Sequence, residues 1–137
     1  MRNKTFIIGC GRLGAAAAVD GYKKGENIFV FDPDTTAFDR LPDDFGGLTF
    51  EADATDLTTL EKQGIRDCRS VLITTGDDNV NVFLAHVCDK LYEIPNIYVR
   101  FDDPERKVLV EGYNVKCIYP FELSFGAYQG LKGGDRQ

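Results

Sequence analysis

The chain is predicted to fold as an α/β domain: a doubly wound, mostly parallel Rossmann-type sheet in three α/β/α layers, with a C-terminal helical arm. Three observations predict it. Short apolar runs alternate with helix-length segments, glycines stand where several of those helices should end, and a glycine loop joins the first strand to the first helix. Strands such as "FIIG", "IFVF" and "VLIT" are apolar on successive positions, as strands buried on both faces must be. Regular alternation implies right-handed crossovers between parallel neighbours, with ligand expected at the strand carboxyl ends near the switch point.

In chain order, the first strand runs from Lys4 to Ile8 and feeds a helix from Arg12 to Lys24. A strand from Asn27 to Phe31 precedes a helix from Thr35 to Leu41, and a strand from Leu48 to Glu51 precedes one from Thr58 to Gln63. Ser70 to Thr74 and Ile97 to Phe101 form the next strands, followed by helices from Asn79 to Tyr92 and Pro104 to Glu111. Val115 to Ile118 is the last strand. Gly25, Gly64 and Gly112 follow three of the helices, where a left-handed cap favours glycine. Beyond Pro120, "PFELSFGAYQGL" places Phe121, Phe125 and Tyr128 on one face if helical, and "KGGDRQ" reads as a frayed end. The expected organisation is a nucleotide-binding domain over residues 1–119 and a crossover helix with its tail over 120–137.

Composition narrows the function. The chain has 137 residues, enough for one domain with a real core, at 43% hydrophobic and 28% charged. A net charge of −6 argues against nucleic acid or an anionic membrane as partner. No apolar run reaches the length of a membrane span, and "MRNK" leads directly into strand-like residues rather than a signal peptide. Cys10, Cys68, Cys88 and Cys117 are scattered without C-x-x-C pairing, which suits buried reduced thiols in the cytoplasm better than a zinc site or disulfides.

The loop Gly9, Cys10, Gly11, Arg12, Leu13, Gly14 has the spacing G-x-G-x-x-G between a strand and a helix. Gly9 permits the tight turn, Gly11 lets a pyrophosphate approach the backbone, and Gly14 lets helix and sheet pack closely. Phosphates would rest on free N–H groups at the helix N-terminus, favoured by its dipole. Asp32 ends the second strand where a carboxylate accepts both hydroxyls of an adenosine ribose and repels a 2′-phosphate, so NADP is disfavoured. Arg12 is either a solvated helix-start residue or a guanidinium folded over phosphate oxygens.

Together with "GCGRLG", the stretches "EADATDLTTLEKQGI" and "VLITTGDDNVNVFLA" resemble the N-terminal nucleotide-binding domain of the RCK/KTN (TrkA-N) family, regulators of potassium transport. The resemblance runs from about Thr5 to Pro120, and departs mildly at Ala52, where the family commonly has glycine. It implies that the loop of Asp53, Ala54 and Thr55 lines the adenine, Asp53 being alternatively a helix cap. It implies that Thr74, Thr75 and Gly76 reach the distal phosphate or second ribose. Asp77 and Asp78 read as caps of the following helix, and Asn81 as a tie from that helix to a neighbouring loop. Arg100 is either a phosphate or partner contact or one half of a structural ion pair. Family members commonly continue into a second lobe, which is absent from these 137 residues.

The resemblance further implies NAD(H) or ATP/ADP as ligand, a homodimer or ring assembled through the C-terminal arm, and a membrane potassium transporter or channel subunit as partner, with no nucleic acid and no direct membrane insertion. A dehydrogenase needs a group to move a proton. The lone His86 sits among Phe83, Leu84 and Val87 and reads as a packing residue, and Tyr128 in the C-terminal segment is the one Tyr with a Lys four residues on, Lys132. A nucleotide-sensing, non-enzymatic regulatory module is therefore the expected function. The alternative is a stand-alone NAD-binding protein or an oxidoreductase completed by a partner. No catalytic or metal-ligating residues are expected.

Overall fold

The computed structural model describes residues 1–136. Its strands are β1 (Lys4–Ile8), β2 (Asn27–Asp32), β3 (Leu48–Glu51), β4 (Cys68–Ile73), β5 (Asn96–Arg100) and β6 (Lys116–Ile118). Its α-helices are α1 (Arg12–Lys23), α2 (Leu57–Lys62), α3 (Asp78–Lys90) and α4 (Pro120–Lys132). The strands form one sheet in the order β3-β2-β1-β4-β5-β6. Every pairing is parallel, so the sheet is wholly rather than mostly parallel. The order reverses between β1 and β4, and that switch point opens a crevice at the strand carboxyl ends.

Alternation along each strand divides the core in two. Phe6, Ile8, Phe29, Phe31, Val71 and Ile73 face α2 and α3, where Leu60, Leu84, Ala85 and Cys88 close over them. Phe6 is fully buried and packs its ring between Phe29 and Phe31 at centroid distances of 5.4 and 4.7 Å. Burying such a side chain contributes roughly 1.5–3 kcal/mol. Ile7, Ile28, Val30 and Leu72 face the other way, against Ala15 and Ala18 of α1. Small residues on α1 let that helix lie close to the sheet. Tyr98 and Ile118, toward the β6 edge of this face, are only half-buried.

Two segments expected as α-helices are 3-10 turns, Thr35–Arg40 and Pro104–Val110. Six or seven residues give too few hydrogen bonds to offset helix nucleation, and short 3-10 pieces are the common outcome. Pro42 also holds Leu41 extended (φ −84°, ψ 138°), which stops the first. Asp34 and Asp103 cap these turns by accepting from the N–H groups of Thr36 and Glu105. Gly25, Gly64 and Gly112 all have positive φ, at 85°, 89° and 80°, as their cap positions require. A third short 3-10 turn, Ile65–Asp67, follows Gly64.

All four cysteines are free. Cys10, Cys68 and Cys88 are buried as expected, and burial pushes the Cys68 and Cys88 thiols up to about 12. Cys117, on the outermost strand, is only half-buried. No described helix is long and apolar enough to cross a membrane. In α4, every residue from Phe121 onward is exposed, Leu123 at 69% and Leu131 at 78% among them.

The glycine loop sets up a stability test. A Cβ on Gly14 would run into the Gly9 carbonyl, whereas Gly11 has negative φ (−80°) and nothing within 4 Å of its Cβ position. Gly14→Ala is expected to lower stability by roughly 1–3 kcal/mol, as overpacking does, and Gly11→Ala by less than about 0.5 kcal/mol. Urea unfolding of both variants measures the contrast.

Candidate functional site

The site forms where β1 ends. Gly9 takes φ +105°, and a side chain there would collide with the Thr74 carbonyl at the end of β4, so glycine alone lets the loop cross the switch point. Its N–H donates to Phe31 O at 2.8 Å, and the Thr74 N–H donates to Ile8 O at 2.8 Å, which ties β1, β2 and β4 together at their carboxyl ends. The chain then turns into α1 with Gly11 as N-cap and no side-chain cap. This contrasts with α2 and α3, whose first turns bond to Asp56 and Asp77. The first N–H groups of α1 are thus left without a side-chain acceptor, the arrangement that favours an anion.

Over this loop lies a cleft of about 530 Å³, within the roughly 300–1,000 Å³ of small-molecule sites. Of the residues singled out by sequence, Gly9, Cys10, Gly11, Asp32, Asp53, Ala54, Thr74, Thr75, Gly76 and Arg100 line it. The structure does not bring Arg12, Leu13, Gly14 or Thr55 to its wall. Leu13 and Gly14 are turned inward by the first turn of α1, and Thr55 is held back by bonds to Asp53. Arg12 is exposed and lines a shallower depression along α1.

Asp32 is half-buried with both oxygens engaged: Oδ2 accepts from the Cys10 N–H and Oδ1 from the Asp34 N–H, each at 2.9 Å. The carboxylate therefore braces the glycine loop, while each oxygen keeps lone-pair capacity for a hydroxyl. The Cys10 thiol, buried and beside Asp32, is held above the ordinary thiol range, so it is protonated and inert near neutral pH. Asp53 caps only its own turn, accepting from the N–H and hydroxyl of Thr55 at 2.9 and 2.8 Å, and these bonds hold its carboxyl below the usual range. The helix cap proper is Asp56.

Across the switch point, Thr74 is 3% exposed and its Oγ1 has no partner among the described residues. A buried hydroxyl on the cleft wall without a partner is costly, and a bound ligand would relieve it. Asn81, fully buried, donates to the carbonyls of Thr75 (3.1 Å) and Arg100 (2.9 Å) and accepts from Thr75, which fixes the β4 loop to the end of β5. Asp77 caps α3 through Asn79 and Val80. Asp78, expected as a second cap, instead accepts from the N–H groups of Asp102 and Asp103 at 2.9 Å each, because its side chain points back to the loop after β5. Arg100 donates to Thr75 O at 3.3 Å and stands 3.7 Å from Asp102, a loose ion pair whose Nε is buried without a hydrogen bond. His86 lies outside the cleft, bonded to Leu109 O and stacked on Tyr113.

The cleft also takes Arg40, Asp34, Ala37, Asp77 and Val80, which sequence reasoning did not place in it. No motif marks Arg40: it arrives because the turn after β2 coils tightly back beside the loop, where its guanidinium donates to Cys10 O at 3.3 Å. Among the described residues no cluster of side chains is suited to a metal ion.

Residues 5–118 match the profile of the TrkA-N domain. The Trk system potassium uptake protein TrkA of Streptomyces coelicolor is 34% identical over 112 residues, covering 82% of this chain and 50% of that protein. Its counterpart in Mycobacterium tuberculosis is 27% identical, covering 96% of this chain and 61% of that protein. The chain therefore spans about half the length of the first relative. Among solved structures, the GsuK RCK domain superposes with a TM-score of 0.79 at 26% identity, over 95% of this chain and 28% of that one. GsuK structures bound to ADP and to NAD superpose with TM-scores of 0.78 at the same identity, over 95% and 94% of this chain and 34% and 23% of theirs. With that profile extending from β1 to the end of β6, the chain belongs to the TrkA-N domain family.

Proposed function

We propose that the chain is a nucleotide-sensing regulatory module of a potassium transport system, binding NAD(H) or ATP/ADP and acting through the geometry of its assembly. The observation that carries the nucleotide reading is Gly11. Neither its backbone angle nor any neighbouring protein atom requires glycine there, yet it stands at the uncapped start of α1 inside the cleft. A phosphate pressed against the backbone is the occupant that needs that space. Asp32 then takes the adenosine ribose, Asp53 and Ala54 the adenine, and Thr74 with its unpartnered hydroxyl the distal half of the ligand.

The regulatory rather than enzymatic reading is supported by the relatives, a potassium uptake protein and the RCK domain of a channel. TrkA relatives and the GsuK channel place such domains in potassium transport, which supports a cytoplasmic position beside a membrane transporter or channel. Oligomerisation is part of the proposal. Phe121, Phe125 and Tyr128 stack along one face of α4 at 5.9 and 6.2 Å and remain about half exposed. The half-buried Tyr98 and Ile118 offer a second copy a place on the sheet. A nucleotide can shift such an assembly only by binding one arrangement more tightly than another.

Calorimetry tests the site. Asp32→Ala is expected to weaken every adenine nucleotide by about ten- to a hundredfold, the value of a charge-assisted hydrogen bond pair; unchanged affinity would remove the ribose assignment. Gly11→Val should abolish binding while the urea midpoint stays close to wild type, and normal binding by that variant would put the phosphates elsewhere. Sedimentation at tens of micromolar tests the arm: the intact chain should be a dimer or larger, and Phe121→Asp/Phe125→Asp a monomer. A monomeric wild type, with and without nucleotide, would refute the arm as an assembly element.

A further inference from the structure

The turn Pro104–Val110 is held by little packing of its own. Val110 is its one buried residue, whereas Val108 and Leu109 are 60% and 42% exposed. Its hydrogen bonds are those of a 3-10 turn, a poorer geometry than an α-helix offers. Arg106, half-buried within it, has its Nε enclosed without a hydrogen-bond partner among the described residues, and such a donor costs stability. Few buried apolar contacts and an unsatisfied donor mark a segment that opens at low free energy.

Two side chains of α3 clasp this turn at its ends. Asp78 accepts from the N–H groups of Asp102 and Asp103, and Asp103 in turn caps the segment by accepting from the Glu105 N–H at 3.0 Å. His86 Nε2 donates to Leu109 O at 2.6 Å. The clasps differ in what stands behind them. His86 lies midway along α3, outside the cleft. Asp78 directly follows the cleft-lining segment from Thr74 to Asp77, yet does not line the cleft itself. Its carboxylate is given to the loop that runs from Arg100 into the turn.

We infer that Asp78 couples occupancy of the cleft to the stability of the turn Pro104–Val110, so that a bound nucleotide closes the turn and its loss lets the turn open. The inference rests on the nucleotide reading of the cleft and adds where the bound state is expressed. A ligand touching the segment from Thr74 to Asp77 holds the start of α3. The Asp78 carboxylate is then already in place for both N–H groups, and less entropy is lost when the turn closes. By the same linkage the closed turn holds the start of α3 for the ligand, which supplies the differential affinity that a population shift requires. His86 fastens the other end without that connection, so it stabilises the free and bound forms alike.

Hydrogen exchange of the full chain, free and saturated with NADH or with ATP, tests the coupling. Nucleotide is expected to slow exchange of the amides from Arg106 to Val110 by about fivefold or more, alongside slowing in the glycine loop from Cys10 to Leu13. In Asp78→Ala the loop should slow as in the wild type while the response of the turn falls below about twofold. Asp78→Asn, which keeps one acceptor oxygen, should be intermediate. His86→Ala shows what a purely structural clasp does: the turn should exchange faster in free and bound protein alike, with the ratio between them kept. A wild-type turn indifferent to nucleotide while the loop responds overturns the inference, and so does a full response of the turn in Asp78→Ala. Loss of the loop response in that variant also overturns it, since Asp78 would then support binding itself. If neither nucleotide slows any amide of the wild type, the nucleotide reading fails, a result distinct from the others.

Discussion

The close approach of Gly9 to the carboxyl end of β4 is the constraint on which the remaining structure depends. With φ at +105° and no side chain, Gly9 passes within contact of the Thr74 carbonyl while its own N–H reaches Phe31. That places α1 directly over the switch point. Gly14 keeps it there, since the helix packs its backbone onto the Gly9 carbonyl with no room for a methyl group. Three parallel strands, one helix and the floor of the cleft are thereby set by two positions that accept only glycine.

Charge arranges what the backbone has shaped. Asp32 reaches across from β2 and holds the Cys10 N–H, while Arg40 holds the Cys10 carbonyl, so one peptide of the loop is gripped from both sides. On the opposite bank, Asn81 ties Thr75 to Arg100 and holds the β4 loop rigid. The banks are preorganised, and preorganisation reduces the entropy lost when a ligand binds. What stays open is the start of α1, where the field of the helix is positive and no side chain answers it.

The strands and their parallel, doubly wound arrangement were legible because strands buried on both faces announce themselves by continuous apolar runs, and because glycine marks the helix ends. The turn at Gly9, the close packing at Gly14 and the tie made by Asn81 were legible in the motifs, whereas the bonds by which Asp32 braces the loop were not. The turns at Thr35–Arg40 and Pro104–Val110 were not told from α-helices, since six or seven residues carry too little periodicity to separate 3.0 from 3.6 residues per turn. Arg40 escaped for the same reason: its place beside Cys10 depends on how tightly that turn coils. Asp78 looked like a cap because it precedes a helix, and only the packing of the β5 loop against α3 reveals its other bonds.

Nuclear magnetic resonance titration of the ¹⁵N-labelled 137-residue chain with ADP and with NADH tests the central claim most directly. Bound phosphate must perturb the amides it touches, so the largest shifts are expected at Cys10, Gly11, Arg12 and Leu13, with a second set at Thr74 to Gly76. An unchanged spectrum at millimolar nucleotide, or shifts gathered at the amino ends of the strands instead, would contradict the assignment of this cleft to a nucleotide.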